Sequence, residues 1–244
     1  MKLLPRSRFF ARYAADEADM RKAQALRFKC FVGGEGVDAD QFDAVCKHVL
    51  VEERGSGKLV CCFRFLPLEN GSEIAQSYSA QFYELSRLAR YQHRMVEMGR
   101  FCIDAEYKDP GILRAAWGAM TAYVDENAVG MLFGCSSFKG TKADEYFDAF
   151  ALLKDQHLAP SQWLPKVKAP SVFRYASRLR LRKPDLRVAM RAMPPLLRTY
   201  LMMGGWVSDH AVIDRDLGTL HVFTGVEIKD VPAGRARALR MAAG

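Results

Sequence analysis

With 244 residues, half of them hydrophobic and 26% charged, the chain has the makeup of a globular protein with room for one large domain or two small ones. It contains no run of about 18 apolar residues that would span a bilayer, and its first twenty residues, broken by Arg6, Arg8 and Arg12, are not expected to act as a secretory signal. The six cysteines form no C-x-x-C pair, so they read as reduced core residues of a cytoplasmic protein rather than as disulfides or a metal site.

In chain order, residues 15–31 read as a helix, with Met20, Ala23, Leu26, Cys30 and Phe31 at helical spacing and Gly33 and Gly34 closing it. An acidic loop, GVDADQFDAVCKH, follows. Two strand-like runs, HVLVEE and KLVCCFRFL, flank RGSG, which has hairpin-turn chemistry. Residues 70–93 are irregular or partly helical. A strand is expected over 95–104. Asp109-Pro110 opens a helix whose apolar face includes Ile112, Ala116, Trp117, Met120 and Val124. MLFGCSSF is a buried strand, and TKADEYFDAFALLKDQHL is a helix. PPLLRTYLMMGG is a short helix, and WVSDHAVIDRDLGTLHVFTGVEI gives two last strands. An early hairpin followed by helical crossovers predicts an α/β fold with a mixed, partly antiparallel sheet flanked by helices. One domain over residues 1–230 is expected, with 231–244 as a loose tail.

The net charge of +8 is concentrated. Residues 166–191 hold nine basic residues against Asp185 alone. Such a block attracts anions: phospholipid headgroups, an acidic carrier protein, or nucleic acid. Nucleic acid is the weakest of the three, since no zinc finger, RNP-type motif or clear helix-turn-helix stands in this window. Val172, Tyr175, Ala176 and Leu179 share one helical face, with Arg174, Arg178, Arg182 and Lys183 around it and Pro184 ending it. That pattern predicts a short interfacial helix. The alternative is an apolar face packed on the core under a solvated basic surface.

The stretch VEMGRFCIDAEYKDPG, residues 96–111, poses the sharpest question. Val96, Met98, Phe101, Cys102 and Ile103 suit a buried strand, yet Glu97 and Arg100 interrupt it. Strict alternation puts these two on opposite faces. A bulge near Gly99 would bring them to one side. Two other stretches look like chemistry. Glu84 and Arg87 in ELSR lack the β-branched neighbours of a strand and read as surface. Cys135, Ser136 and Ser137 offer a nucleophile for a covalent acyl intermediate, but read better as a core cysteine and strand-end serines.

Several blocks carry a family resemblance, in order: ALRFKCFV, QFDAVCKHVLV, CFRFLP, EMGRFCIDAEYKDPGILRAAWGAMTAYV, LFGCSSFKGT and PPLLRTYLMMGGWVSDHAVIDRDLGTLHVF. Over residues 20–226 the chain resembles the ornithine lipid N-acyltransferases, often labelled hemolysin-like. The resemblance implies a GNAT-like fold, arranged as in the acyl-homoserine-lactone synthases, with the basic segment as a C-terminal insertion. It implies transfer of a 3-hydroxyacyl group from acyl carrier protein to the α-amine of L-ornithine, giving lyso-ornithine lipid. No permanently bound cofactor and no metal are implied, because 4'-phosphopantetheine arrives on the donor. The implied location is cytoplasmic, at the inner face of the bacterial inner membrane, with the carrier protein, the amino acid and an anionic membrane surface as partners.

The loop after the central strand departs from the wider superfamily. There, a Q/R-x-x-G-x-G/A loop grips the coenzyme A pyrophosphate with backbone N–H groups. Here the place reads AEYKDPGILR, with Gly111 as its one glycine. That suits a carrier-borne phosphopantetheine, which has a single phosphate; Lys108 and Arg114 are either its electrostatic partners or surface charges. For the reaction, Glu97 is the candidate proton acceptor, directly or through water, or a holder of the acceptor's cationic groups. Arg100 would orient it or bind the acceptor's carboxylate. The competing reading is a buried ion pair of Glu97 with Arg100 or Arg64. By resemblance to the lactone synthases, Asp43 binds the cationic acceptor, and Arg27, Phe31 and Arg64 belong to the same site. Asp38 and Asp40 read equally as solvated, and Arg27 and Arg64 equally as an ion-pair scaffold. Other acceptors such as glutamine, lactone synthesis, and a non-enzymatic membrane-binding protein are the alternative functions.

Overall fold

A computed structural model describes residues 7–243. The first six residues, part of the stretch read as lacking a secretory signal, and Gly244 at the end of the tail lie outside the described residues. The chain forms two compact units, both discontinuous in sequence.

The elements follow one another as β1 (Phe9–Tyr13), α1 (Glu17–Phe31), β2 (Lys47–Glu53), β3 (Leu59–Leu68), β4 (Tyr83–Glu84), β5 (Met95–Ile103), α2 (Pro110–Glu126), β6 (Met131–Lys139), α3 (Phe147–Gln156), β7 (Lys166–Val167), β8 (Val172–Phe173), α4 (Tyr175–Arg178), α5 (Leu186–Ala192), α6 (Pro195–Met202), β9 (Trp206–Val207), β10 (Ala211–Asp214), β11 (Thr219–Glu227) and α7 (Ala233–Ala243). Short 3-10 turns fill much of 71–90, the stretch expected to be irregular. No helix of the described residues is long and apolar enough to cross a membrane. All six cysteines are unbridged thiols.

The first unit contains Pro67 and the described residues before it, Met98–Ala128, and the described part of Ala233–Gly244. Its strands run in the order β1-β2-β3-β5. β1 pairs antiparallel with β2, and β2 with β3, the hairpin expected from RGSG, with a register shift at Val51/Glu52. Asp16 caps α1 by accepting from the Asp19 N–H, which satisfies one of the helix's open donors. α1 buries Ala23 and Leu26 against Cys62 of β3 and Cys102 of β5. α2 begins at Pro110 with Asp109 as its cap, as its sequence predicts. Inside β5 the backbone of Arg100 turns to a φ of 53°. A non-glycine residue rarely adopts this left-handed conformation. Gly99, where the sequence points to an irregularity, does not itself take the left-handed φ.

The second unit contains Leu68–Glu97 and Val129–Pro232. Its main strands run β6-β11-β10-β8, with β9 also paired to β11, and β4 and β7 form a separate ribbon. The backbone of this unit is a nine-residue antiparallel ladder, from Met131↔Glu227 to Lys139↔Thr219. Gly225 within it is required by packing: a Cβ there would come within 2.4 Å of the Trp206 ring. Phe138, Phe150, Leu153, Tyr175, Leu197 and Val222 belong to one buried core.

Two expectations are corrected. The interfacial helix over 172–183 does not form. Val172 is in β8, and Tyr175 and Leu179 are buried in the core rather than turned outward. Tyr175 stacks on Phe150 at 5.0 Å and donates its hydroxyl to the Ser208 carbonyl. These partners are remote in sequence, and they outcompete a helix continued through the window. The tail is not loose. Residues 233–243 form α7, which lies along α2, and Arg240 makes a bidentate pair with Asp125 at 2.8 and 3.0 Å. Its alanines and arginines are good helix formers.

Candidate active site

In the first unit, three guanidiniums and three carboxylates converge. α1 supplies Arg27. Asp38 follows in the loop. A 3-10 turn at Gln41–Ala44, capped by Asp40, supplies Asp43. β3 and β5 supply Arg64 and Arg100. Arg27 is almost wholly buried, at 1% exposure. Its Nε donates to Asp38 at 2.9 Å, and Nη1 and Nη2 clasp Asp43 at 2.8 and 2.9 Å. Arg64 forks onto Asp40 at 2.6 and 2.7 Å and also donates to Asp43. Arg100 pairs with Asp38 at 3.0 Å and Asp40 at 3.2 Å. The Arg100 Nε contact is an ion pair of poor hydrogen-bond alignment. Gln24 donates to Asp43 at 3.0 Å, and the His48 Nε2 lies 3.1 Å from the Asp43 carbonyl oxygen.

Three positive and three negative groups offset one another, so this array binds helix, turn and strands together as well as lining a surface. Burial pushes the Asp43 carboxyl up, but hydrogen bonds from Arg27 and Gln24 outweigh it and hold its pKa below the usual carboxylate range. Asp40 is held low in the same way, by Arg64 against burial. Asp38, Asp40 and Arg100 form the more open edge of the array. Guanidinium beside carboxylate is the arrangement that matches a zwitterionic amino acid. Arg27, Asp43, Arg64 and Arg100 are thus brought together, with Asp38 and Asp40. Phe31, at the end of α1, is 44% exposed.

In the second unit, Glu97 is 5% exposed and fixed at both oxygens. Oε2 accepts from the Tyr78 N–H at 2.7 Å. Oε1 accepts from the Ser79 N–H at 2.7 Å and the Ser79 hydroxyl at 2.6 Å. Ser79 begins a 3-10 turn, whose leading N–H groups have no partner within the turn. The carboxylate satisfies them and gains a defined orientation. The Ser79 hydroxyl also lies 3.4 Å from the Cys135 sulfur, so thiol, hydroxyl and carboxylate form a continuous series. Ser136 is buried and accepts from the Thr224 hydroxyl at 2.9 Å, and Ser137 is exposed. Sequence reasoning missed Tyr78 and Ser79. They sit in the aperiodic stretch before β5, where no spacing marks them. Glu84 and Arg87 are half-buried rather than fully surface, with Glu84 3.3 Å from Lys166 and Arg87 donating to the Ser161 carbonyl at 2.7 Å.

The start of α2 is already filled by the chain itself. Asp109 Oδ1 accepts from the Gly111 N–H at 2.8 Å, and Arg8 is 3.3 Å from the other oxygen. A carboxylate therefore sits where a helix N-terminus would otherwise attract a phosphate. Lys108 and Arg114 are exposed.

The acetyltransferase (GNAT) domain model matches residues 16–118, which include the charged array, Glu97 and the start of α2. The L-ornithine N(alpha)-acyltransferase of Rhodobacter capsulatus is 31% identical over 227 residues, 86% of each chain. The chain belongs to the L-ornithine N(alpha)-acyltransferase family. The Brucella abortus protein of that name is 29% identical over 90% of this chain and 84% of its own. Among solved structures, TofI in an apo form aligns with 96% of this chain and 98% of its own at 14% identity and a TM-score of 0.46. As a family member with a GNAT domain, the protein is an N-acyltransferase, in agreement with the resemblance carried by its sequence blocks.

Proposed function

We propose that this protein transfers a 3-hydroxyacyl group from acyl carrier protein to the α-amine of L-ornithine, producing lyso-ornithine lipid. The observation that carries the reading is the match to the Rhodobacter capsulatus L-ornithine N(alpha)-acyltransferase along 86% of both chains. The carrier-protein donor draws support from Asp109, which occupies the α2 N-terminus with negative charge and disfavours the pyrophosphate of coenzyme A there. The phosphopantetheine then comes with the donor and no cofactor is held between turnovers.

The chemistry is an amine attacking a thioester carbonyl. The C–N bond forms, the C–S bond breaks, and the carrier thiol leaves. The incoming ammonium loses a proton before attack, and the nitrogen loses a second as the amide forms. Glu97 is the group we assign to proton removal, directly or through one water; Tyr78 and Ser79 hold its carboxylate in place. Arg100 is the group assigned to the acceptor's carboxylate, with Asp38 and Asp40 facing its ammonium groups; Arg27, Arg64 and Asp43 brace them. Phe31 is proposed to contact substrate from the end of α1. The basic segment 166–191 supports, by its charge, an anionic partner, either the acidic carrier or the headgroups of the membrane that receives the product, and we propose that the enzyme works at the inner face of that membrane. Mass spectrometry of lipid extracts from cells expressing this chain alone tests the reading. A new 3-hydroxyacyl-ornithine species is expected; extracts identical to those of the empty host would refute it.

A further inference from the structure

The basic window contains one part that the core does not claim. Leu181 is 85% exposed, Leu186 56% and Met190 45%, and Val188 is also exposed. Single exposed aliphatics are ordinary on a protein surface. Four within ten residues, interleaved with Arg180, Lys183, Arg187 and Arg191, are a composition that water does not favour. All four of those basic residues are exposed, and among the described residues none is paired with a carboxylate. Arg182 differs from them. It pairs with Asp148 at 2.9 Å and lies over the Phe147 ring, so it is part of the framework.

The exposure is built, not loose. Lys154 of α3 donates to the carbonyls of Leu179 at 2.8 Å and Arg182 at 3.0 Å, pinning the turn that carries Leu181. Asp185 caps α5 by accepting from the Arg187 and Val188 N–H groups at 2.9 and 3.0 Å. α5 buries Ala189 against the core, with Met193 just beyond its end also buried. On α5, Leu186 and Met190 lie four residues apart on one side, and Arg187 and Arg191 form the next row. Apolar side chains edged by unpaired cations fit the boundary between anionic headgroups and acyl chains. There aliphatic groups leave water and the arginines reach phosphates.

We infer that the pinned turn at Leu181 and helix α5 form an anionic-lipid docking surface, with Leu181, Leu186 and Met190 entering the bilayer and Arg180, Arg187 and Arg191 gripping lipid phosphates. This rests on the proposed lipid product only for its purpose, because docking is measured without turnover. It relocates the membrane contact from the expected face at Val172, Tyr175 and Leu179, which is core. Arg174, Arg178 and Lys183 extend its charged margin. An acidic carrier protein shares the charge but offers no hydrocarbon to cover so exposed a leucine, so lipid is the better match.

The test uses the full chain and sedimentation with vesicles of phosphatidylglycerol and phosphatidylethanolamine, beside vesicles of phosphatidylcholine alone. Parent protein should bind the anionic vesicles at least tenfold better. Changing Arg180, Arg187 and Arg191 to Gln should weaken that binding by about a hundredfold at low salt and much less at high salt. Changing Leu181, Leu186 and Met190 to Ser should weaken it at both. Circular dichroism melts should match the parent, since the altered groups face solvent. As a second readout, Leu181→Trp should blue-shift its emission on anionic vesicles. Three outcomes overturn the inference: no vesicle binding by the parent, binding equal to the parent's by either triple variant at low salt, or unchanged vesicle binding with a raised KM for acyl carrier protein, which would assign the surface to the carrier. Acyl transfer without vesicle binding would sink this inference and spare the proposed function; vesicle binding without acyl transfer would do the reverse.

Discussion

Glu97 shows how far a single residue can be read from sequence. A carboxylate inside an apolar strand demands partners, and that demand was visible without a structure. The identity of the partners was not, because Tyr78 and Ser79 come from a turn with no periodic signal. Glu97→Gln removes the charge while keeping the shape. We predict a fall in kcat on the order of 10²-fold in a chain that still folds; near-parental turnover would leave Glu97 as a structural anchor of the turn. Ser79→Ala should lower kcat less, because it removes one of three bonds and leaves the proton acceptor. The titrating groups make a separate prediction. Burial holds the His221 imidazole down at about 4. A base whose pKa is depressed by folding stabilises the protein above its unfolded value of about 6.5 and loses that contribution as pH falls toward 4. The lowered Asp43 carboxyl contributes fully above about 4 and loses its part only below that. Urea unfolding across pH should therefore decline in two stages. His221→Phe should flatten the upper stage and Asp43→Asn the lower, and Asp43→Asn should also cost about 3–5 kcal/mol at neutral pH by stranding buried arginines. A flat profile from pH 7 to 4.5 in the parent would contradict the His221 assignment.

Elements were legible where local pattern and tertiary packing agree. α1 and α2 carry their caps and apolar faces in their own sequence, and the β2–β3 hairpin carries its turn. The failures lie where a remote partner decides. The window at 172–183 has helical spacing, but Tyr175 is captured by Phe150 and Ser208. The segment 231–244 reads as a loose tail, but α2 gives its helix a surface to lie along. In β5 the sequence points to an irregularity at Gly99, whereas the residue with left-handed backbone is Arg100, whose side chain is anchored by Asp38 and Asp40. At the start of α2, Asp109 supplies a prediction of its own. Asp109→Asn keeps a capping side chain and removes its charge. The helix dipole and charge effect is about 0.3–1 kcal/mol, so kcat/KM for acyl-CoA should rise about two- to fivefold relative to acyl carrier protein. No change in the donor ratio would show that this carboxylate has no part in donor choice.

For the whole molecule, the charge pattern was readable as a location before it was readable as a surface. The excess of basic residues between 166 and 191 is plain in the sequence, yet which of them face solvent depends on how the second unit packs. The match to the Rhodobacter capsulatus relative covers 86% of the chain, and the GNAT domain match over residues 16–118 includes the charged array and Glu97. The central claim is acyl transfer to the α-amine of ornithine from a carrier-borne thioester. The measurement that tests it most directly is a steady-state assay of purified protein with 3-hydroxyacyl-carrier protein and L-ornithine, read by release of carrier thiol and by mass and fragmentation of the product. The account predicts stoichiometric thiol and a single amide at the α-nitrogen, with kcat/KM for the same acyl group on coenzyme A at least tenfold lower. Thiol release that does not depend on ornithine, an amide at the side-chain amine, or equal use of coenzyme A would contradict it.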